Sequence, residues 1–262
     1  HKNGYLEGTV ELIAAQPTEN GRVMPVYRIS VGPKIIFETR GVREKKVRRE
    51  VLNLIEGQTF DEDLVLQYVE NKRRQLQRKG HYRAEVDYKI EKTPGKTMVT
   101  ITVEEGEKFS VEQIRITGND SVEKDTLSDL MLTREKGLPL IRPGRLVDQV
   151  LEEDVSAILG YYQTHGWVNV EVEEPKISQG SKPDRLVVVI PIAEGPRAIV
   201  ESRKVVGAEH IAPEKLEEIL QVEPGEPFNP NEARQDVYAL QNYYRDRGWR
   251  EAAVDDDWSL SE

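Results

Sequence analysis

Four histidines, three consecutive aspartates, two runs of basic residues and two tyrosine pairs are the groups here with chemistry to offer. His81 and His165 stand at equivalent places, each beside a glycine that ends an amphipathic segment; His1 and His210 lie elsewhere. No two histidines have the four-residue spacing that puts two imidazoles on one helix face for zinc. His81 and His165 are expected to hydrogen-bond at helix ends. Asp255, Asp256 and Asp257 are the densest carboxylates, but adjacent residues on a strand point to opposite faces. The phosphate-cradling patterns G-x-x-x-x-G-K-[ST] and G-x-G-x-x-G do not occur, nor does the G-x-S-x-G elbow. There is no cysteine, so disulfides, thiolate catalysis and thiolate metal sites are excluded. The expectation is a protein without an active site, cofactor or metal.

The basic groups are Arg43, Lys45, Lys46, Arg48 and Arg49, then Lys72, Arg73, Arg74, Arg78 and Lys79, interleaved with Glu44, Glu50 and Glu70. They would suit an acidic partner or lipid headgroups, but solvated helix faces are the favoured reading. Tyr161–Tyr162 and Tyr243–Tyr244 are neighbours about 100° apart around a helix. One ring of each pair is expected in the core, the other against an adjacent unit. The 262 residues carry a net charge of −10, which does not suit general nucleic-acid binding. Hydrophobic residues make up 37% and charged residues 32%, a polar but globular balance. The longest apolar stretch, 186–193, is too short to cross a bilayer as a helix. The first residues do not read as a secretory leader.

Behind these groups stands a repeat. Gly80, Gly166 and Gly248 each follow a long amphipathic segment and precede a strand-like run, and Gly4 reads as a fourth copy. Two further landmarks recur in the same order: Gly41, Gly118 and Gly207, and the glycines at 32, 106 and 195. In the middle unit Val111 to Thr117 reads as a strand ended by Gly118-Asn119, and Ser121 as the cap of a helix to about Leu132. A loop through Gly137-Leu-Pro-Leu leads to a second helix ending near Thr164. Its Val147, Val150, Leu151, Val155, Ile158, Leu159 and Tyr162 share one face.

Two strands close the unit: Val168 to Glu173, alternating apolar and polar, and Leu186 to Ile192, apolar on both faces like a central strand. The preceding unit matches, with a strand at 35–39, helices at 44–54 and 61–79, and strands at 84–91 and 99–103. Residues 6–13 and 23–30 read as the two closing strands of another unit, and residues after 197 as strand, helix, helix and strand. The expected organisation is therefore two closing strands at 1–33, whole units at 34–107 and 108–196, and a unit at 197–262 lacking its last strand.

This order and these landmarks resemble the POTRA domain, the polypeptide-transport-associated module. The carrying residues are Gly118-Asn119, Tyr161-Tyr162 followed by Gly166-Trp167, and Glu194-Gly195-Pro196. The copies depart from one another: Val42 and Ala208 stand where Asn119 does, and Arg203 occupies an apolar strand position. The resemblance implies an α+β fold of tandem POTRA repeats, each strand-helix-helix-strand-strand with a three-stranded mixed sheet covered by two helices. Arrays of this length are similar to the periplasmic part of outer-membrane barrel assembly factors, the BamA-like and TamA-like superfamily. That implies a periplasmic, non-enzymatic receptor tethered through a C-terminal membrane β-barrel. Its implied partners are unfolded outer-membrane proteins and accessory assembly lipoproteins, with no nucleic acid. The alternative is a POTRA scaffold of a related secretion or import pore, binding folded partners.

The mechanism such a sheet offers is strand addition. If the last strand of each unit is central, its second strand is an edge. The candidate client-binding residues are then Ala84, Glu85, Val86, Asp87, Tyr88, Lys89 and Ile90 in one unit. In the next they are Val168, Asn169, Val170, Glu171, Val172 and Glu173; Ala252 to Trp258 forms a third edge. A handful of backbone bonds at about 1 kcal/mol each, set against roughly 1–2 kcal/mol per ordered residue, gives millimolar to high-micromolar binding per site. Outward charges such as Glu85, Asp87, Glu171 and Glu173 also block edge pairing, so protection stands beside recruitment as a reading.

Overall fold

The computed structural model describes residues 5–6, 8–17, 22–54, 60–138, 141, 143–208 and 210–260. His1, Gly4 and the loop residues Pro139 and Leu140 lie outside them. The chain divides into two compact units, one holding 1–110 with 145–147, the other 111–144 with 148–262.

In the first unit, β1 (Thr9–Pro17) and β2 (Val23–Ser30) form an antiparallel hairpin with an irregularity between Leu12 and Ala14. A three-stranded sheet follows, built from β3 (Lys34–Arg40), β4 (Glu85–Thr93) and β5 (Lys96–Glu104) in the order β3-β5-β4. The last strand is thus central, parallel to β3 and antiparallel to β4. Between β3 and β4 come α1 (Glu44–Leu54), which buries Val47 and Val51, and α2 (Glu62–Arg78). Asp61 caps α2 by accepting the Leu64 N–H at 3.0 Å, and Glu62 and Asp63 in its first turn suit the positive end of the helix dipole. The core joins α1, α2 and the inner face of the sheet through Val51, Val65, Val69, Val99 and Ile101.

In the second unit, β6 (Ser110–Thr117) pairs with β9 (Arg185–Ala193), with β7 (Glu171–Val172) and β8 (Lys176–Gln179) on the other side of β9. The helices are α3 (Lys124–Leu130) and α4 (Asp148–Thr164). The expected helix from Ser121 to Leu132 is shorter than read. Ser121 does not cap it; its N–H instead donates to both carboxylate oxygens of Glu194 at 3.0 Å. At the far end Asp154 of α4 accepts the N–H groups of Leu132 and Thr133, which ends the helix at Leu130.

The final repeat contributes α5 (Pro213–Glu217) and α6 (Pro230–Asp246). Its expected strands at about 198–206 and 252–258 are not formed. Val200 instead exchanges backbone bonds with the turn between the helices, donating to Glu226 and accepting from Gly225. Arg203, out of place for a strand interior, donates to the carbonyls of Glu217, the last residue of α5, and of Leu220 just beyond it.

Candidate functional site

The sheet edges are built by the turn that leaves the second helix of each repeat. Gly80 and Gly166 have φ of 99° and 100°, which glycine adopts without cost. After each glycine the chain makes one more turn: Ala84 N–H donates to the His81 carbonyl and Val170 N–H to that of Trp167. The strand therefore starts five residues past the glycine in both repeats, at Glu85 and at Glu171. Ala84 is buried just before β4, and Glu85, Val86, Asp87, Tyr88, Lys89 and Ile90 all lie on it.

Val168, Asn169 and Val170 were expected on a strand and are not. The turn after Trp167 holds them, which corrects the strand read at 168–173. Only Glu171 and Val172 are on β7, and Glu173 begins an interruption.

β4 is a nine-residue edge whose only strand neighbour among the described residues is β5. Val86 is buried and Tyr88 and Ile90 half-buried, while Glu85, Asp87, Lys89 and Glu91 face solvent. Lys89 and Glu91 pair there at 2.7 Å, and Tyr88 Oη donates to Glu62 at 3.4 Å.

The second edge is interrupted. Glu171 and Val172 pair with Ala193 and Ile192, and Lys176 to Gln179 with Val189 to Leu186. Three residues, Glu173, Glu174 and Pro175, thus face two on β9, a β-bulge with one extra residue. Pro175 has no N–H to give a ladder. The bulge shifts the inward row from Val172, an even position, to Ile177, an odd one. Without it Lys176 would point into the core. That switch in apolar parity was visible in the sequence and marks the strand 176–179 that the alternation argument missed.

In the final repeat, 197–208 and 248–260 line a cavity of about 1500 Å³ together with Leu240 and Tyr244 of α6. Asp255, Asp256 and Asp257 border it and are exposed. Gly118 and Gly207 both have φ of 77°. A Cβ on Gly118 would lie 2.0 Å from the Ile192 carbonyl oxygen, whereas one on Gly207 would meet nothing within 4 Å. The close approach made by a central strand in the second repeat is absent in the final one.

His81 and His165 each follow a second helix, but only His165 bonds a carbonyl of that helix; His81 reaches the joint after β5. His81 Nδ1 lies 3.0 Å from the Gly106 carbonyl and His165 Nδ1 2.7 Å from that of Tyr161; a carbonyl only accepts, so each Nδ1 carries the proton. Of the first tyrosine pair, Tyr162 is buried and Tyr161 stacks on His165. In the second pair Tyr244 meets Trp249 edge-on and Tyr243 lies under Arg247.

One polar device escaped the sequence reading. Asp154 and Asp236, each twelve residues before a marker glycine, are buried on the second helix and each accepts two backbone N–H groups: Leu132 and Thr133 for one, Gln221 and Val222 for the other. Their equal offset from Gly166 and Gly248 was the available signal. The second repeat adds Glu194, which also accepts from Tyr162 Oη at 2.8 Å. Burial pushes the Glu194 carboxyl up, but hydrogen bonds from Ser121, Tyr162 and Val122 outweigh it and hold it below the ordinary glutamate range. Burial and that same carboxylate push the Tyr162 phenol up.

Comparison with known proteins agrees with this architecture. A family model, POTRA (surface antigen variable number repeat), matches residues 33–106, 109–195 and 198–259. The outer membrane protein assembly factor BamA of Nitratidesulfovibrio vulgaris is 26% identical over 206 residues, covering 76% of this chain and 26% of that protein. A putative outer membrane protein assembly factor of Treponema pallidum is 22% identical over 200 residues, 75% of this chain and 24% of its own. The chain thus spans about a quarter of the length of these curated relatives. The crystal structure of Haemophilus influenzae BamA POTRA3-5 superposes with a TM-score of 0.51 at 16% identity, over 79% of this chain and 84% of that one, a likeness of fold. With three matches in series over most of its length, and the β3-β5-β4 sheet under two helices that its glycines mark out, this chain belongs to the POTRA family as a tandem array.

Proposed function

We propose that this chain is the periplasmic POTRA array of an outer-membrane protein assembly factor, tethered to the outer membrane through a C-terminal β-barrel. It receives unfolded outer-membrane proteins by strand addition and docks accessory lipoproteins. The observation that carries the mechanism is β4: nine residues in unbroken register with β5, and no strand on the other side among the described residues. Backbone pairing along such an edge reads little sequence, as a receptor for many clients requires. The family match and the names of the curated relatives support the assembly role. Ala84 and residues 85–90 are the primary landing site. In the second repeat Glu171, Val172 and Glu173 belong to a bulged, shorter edge, and Val168, Asn169 and Val170 form the turn before it. A single site binds weakly, so useful affinity comes from several sites in series.

The second reading is a scaffold of a related secretion or import pore that binds folded partners. The outward row Glu85, Asp87, Lys89 and Glu91 favours it, because such charge deters strand pairing. An amide NMR titration separates the two. The titrant is an unfolded outer-membrane barrel-strand peptide, with a scrambled helical peptide as control. Shifts confined to 84–93 are the expected result. No shift at millimolar peptide rejects the client receptor and leaves the scaffold.

A further inference from the structure

Beside Gly118 in the second repeat, the interior is closed by the Glu194 carboxylate, held by Ser121 N–H and Tyr162 Oη. Counting from the marker glycines, the first repeat has Gly41, Glu105 and Leu76 at the places of Gly118, Glu194 and Tyr162. The backbone match is close: a Cβ on Gly41 would lie 1.9 Å from the Val103 oxygen, as one on Gly118 would lie 2.0 Å from that of Ile192. The side chains do not match. Leu76 has no hydroxyl to anchor a carboxylate. Glu105 turns outward, 57% exposed, with Oε2 3.8 Å from His81 Nε2.

What lies beside Gly41 is a cavity of about 310 Å³ lined by Arg43, Lys46, Lys72, Lys79 and Glu105. Lys72 stands where the second repeat has Ile158 and the final repeat Leu240, and it is only 6% exposed. Its ammonium meets the neutral Gln75 Oε1 at 3.4 Å. Burial lowers the Lys72 pKa, Glu50 partly offsets this, and Lys46 and Lys79 add to it. Glu50 is 3.9 Å from Lys46 Nζ. Among the described residues, four cations therefore gather around two carboxylates, one of them turned to solvent. A buried cation with so little counter-charge is costly, and the chain places it where the sister repeat has an aliphatic residue.

We propose that this cavity binds a carboxylate from outside the chain, an Asp or Glu side chain of a peptide, in the place that Glu194 fills in the second repeat. The choice of carboxylate follows from the second repeat, where the equivalent space takes one. The site is separate from the β4 edge, so it stands or falls independently of strand addition.

The test is an amide NMR titration of the full chain with a blocked peptide bearing one central Glu. Its Gln counterpart, acetate and inorganic phosphate are run in parallel. The Glu peptide is expected to shift Gly41, Val42, Lys46 and Lys72, and the Gln peptide is not. Lys72→Ile installs the kind of residue the other repeats bury, so it is expected to fold, and it should weaken binding roughly tenfold or more. Leu76→Tyr offers Glu105 the anchor that Tyr162 gives Glu194, and should weaken it as well. Equal response to the Glu and Gln peptides, or unchanged binding in Lys72→Ile, overturns the proposal. Acetate or phosphate shifting these amides at lower concentration than the Glu peptide overturns the peptide source.

Discussion

Twelve residues before the glycine that ends the second helix, the second repeat has Asp154 and the first has Tyr68. Asp154 is buried and fully used, accepting two backbone N–H groups. The Tyr68 hydroxyl is buried beside Glu50 and meets no backbone N–H partner among the described residues; burial first, then that carboxylate, push its pKa up. Four residues on, the second repeat has Ile158 and the first Lys72; four further, they have Tyr162 and Leu76. Along one helix face the second repeat thus uses acid, aliphatic and phenol to close a satisfied network, while the first leaves a lysine-lined space. The backbone tolerates both because strand pairing and glycine placement carry the fold. The interior polar groups are then free to diverge, and divergence there is where specific binding can enter.

The most damaging way to test this contrast is Asp154→Ala. It leaves two backbone N–H groups without an acceptor at a buried place, and should cost about 3 kcal/mol. All three tryptophans, Trp167, Trp249 and Trp258, lie in the second unit. Urea unfolding followed by tryptophan fluorescence therefore reads that unit alone. A midpoint within error of wild type would mean the carboxylate holds nothing.

Next comes a pair of glycines of identical φ. Gly118→Ala meets both left-handed strain and the Ile192 carbonyl and should cost about 2–3 kcal/mol. Gly207→Ala meets strain alone and should cost about 1 kcal/mol. Equal losses would show that the close approach to a central strand is not what distinguishes the second repeat.

An effect as small as that of Gly207→Ala belongs to Glu194→Gln, about 1 kcal/mol at neutral pH. Because the folded-state pKa of Glu194 is depressed, its stabilisation is present above the ordinary glutamate range. It is lost as pH falls through the folded value. Wild type and variant should therefore converge in acid, and a constant difference down to low pH would assign the effect to packing.

Much of this was legible beforehand. Val47 and Val51 share a helix face, and Asp61 is a good cap, so α1 and α2 fall where spacing puts them. The alternation from Val86 to Ile90 gave β4 for the same reason. The misses have a common origin in tertiary pairing. Whether Ser121 caps a helix depends on Glu194, seventy-three residues away. Whether 168–170 extend a strand depends on the turn that Trp167 closes onto Tyr162. The basic residues read as a solvated face mostly by counting charges. Lys72 differs because its helix position is an inward one, which alignment on the glycines would have revealed.

The bulge at Glu173–Pro175 has a consequence for biogenesis. Neighbouring repeats of one topology run the risk of exchanging strands while they fold, a characteristic failure of tandem arrays. A closing strand in the register of Lys96–Glu104 matches β4 along its whole length. Along residues 171–179 the extra residue is absorbed on the bulged strand itself, and β9 keeps its apolar row of Leu186, Val188, Ile190 and Ile192 on the core side. What the extra residue changes is the outer side: it breaks the ladder a stray strand would need, so residues 171–179 are a poorer landing edge than the unbroken β4.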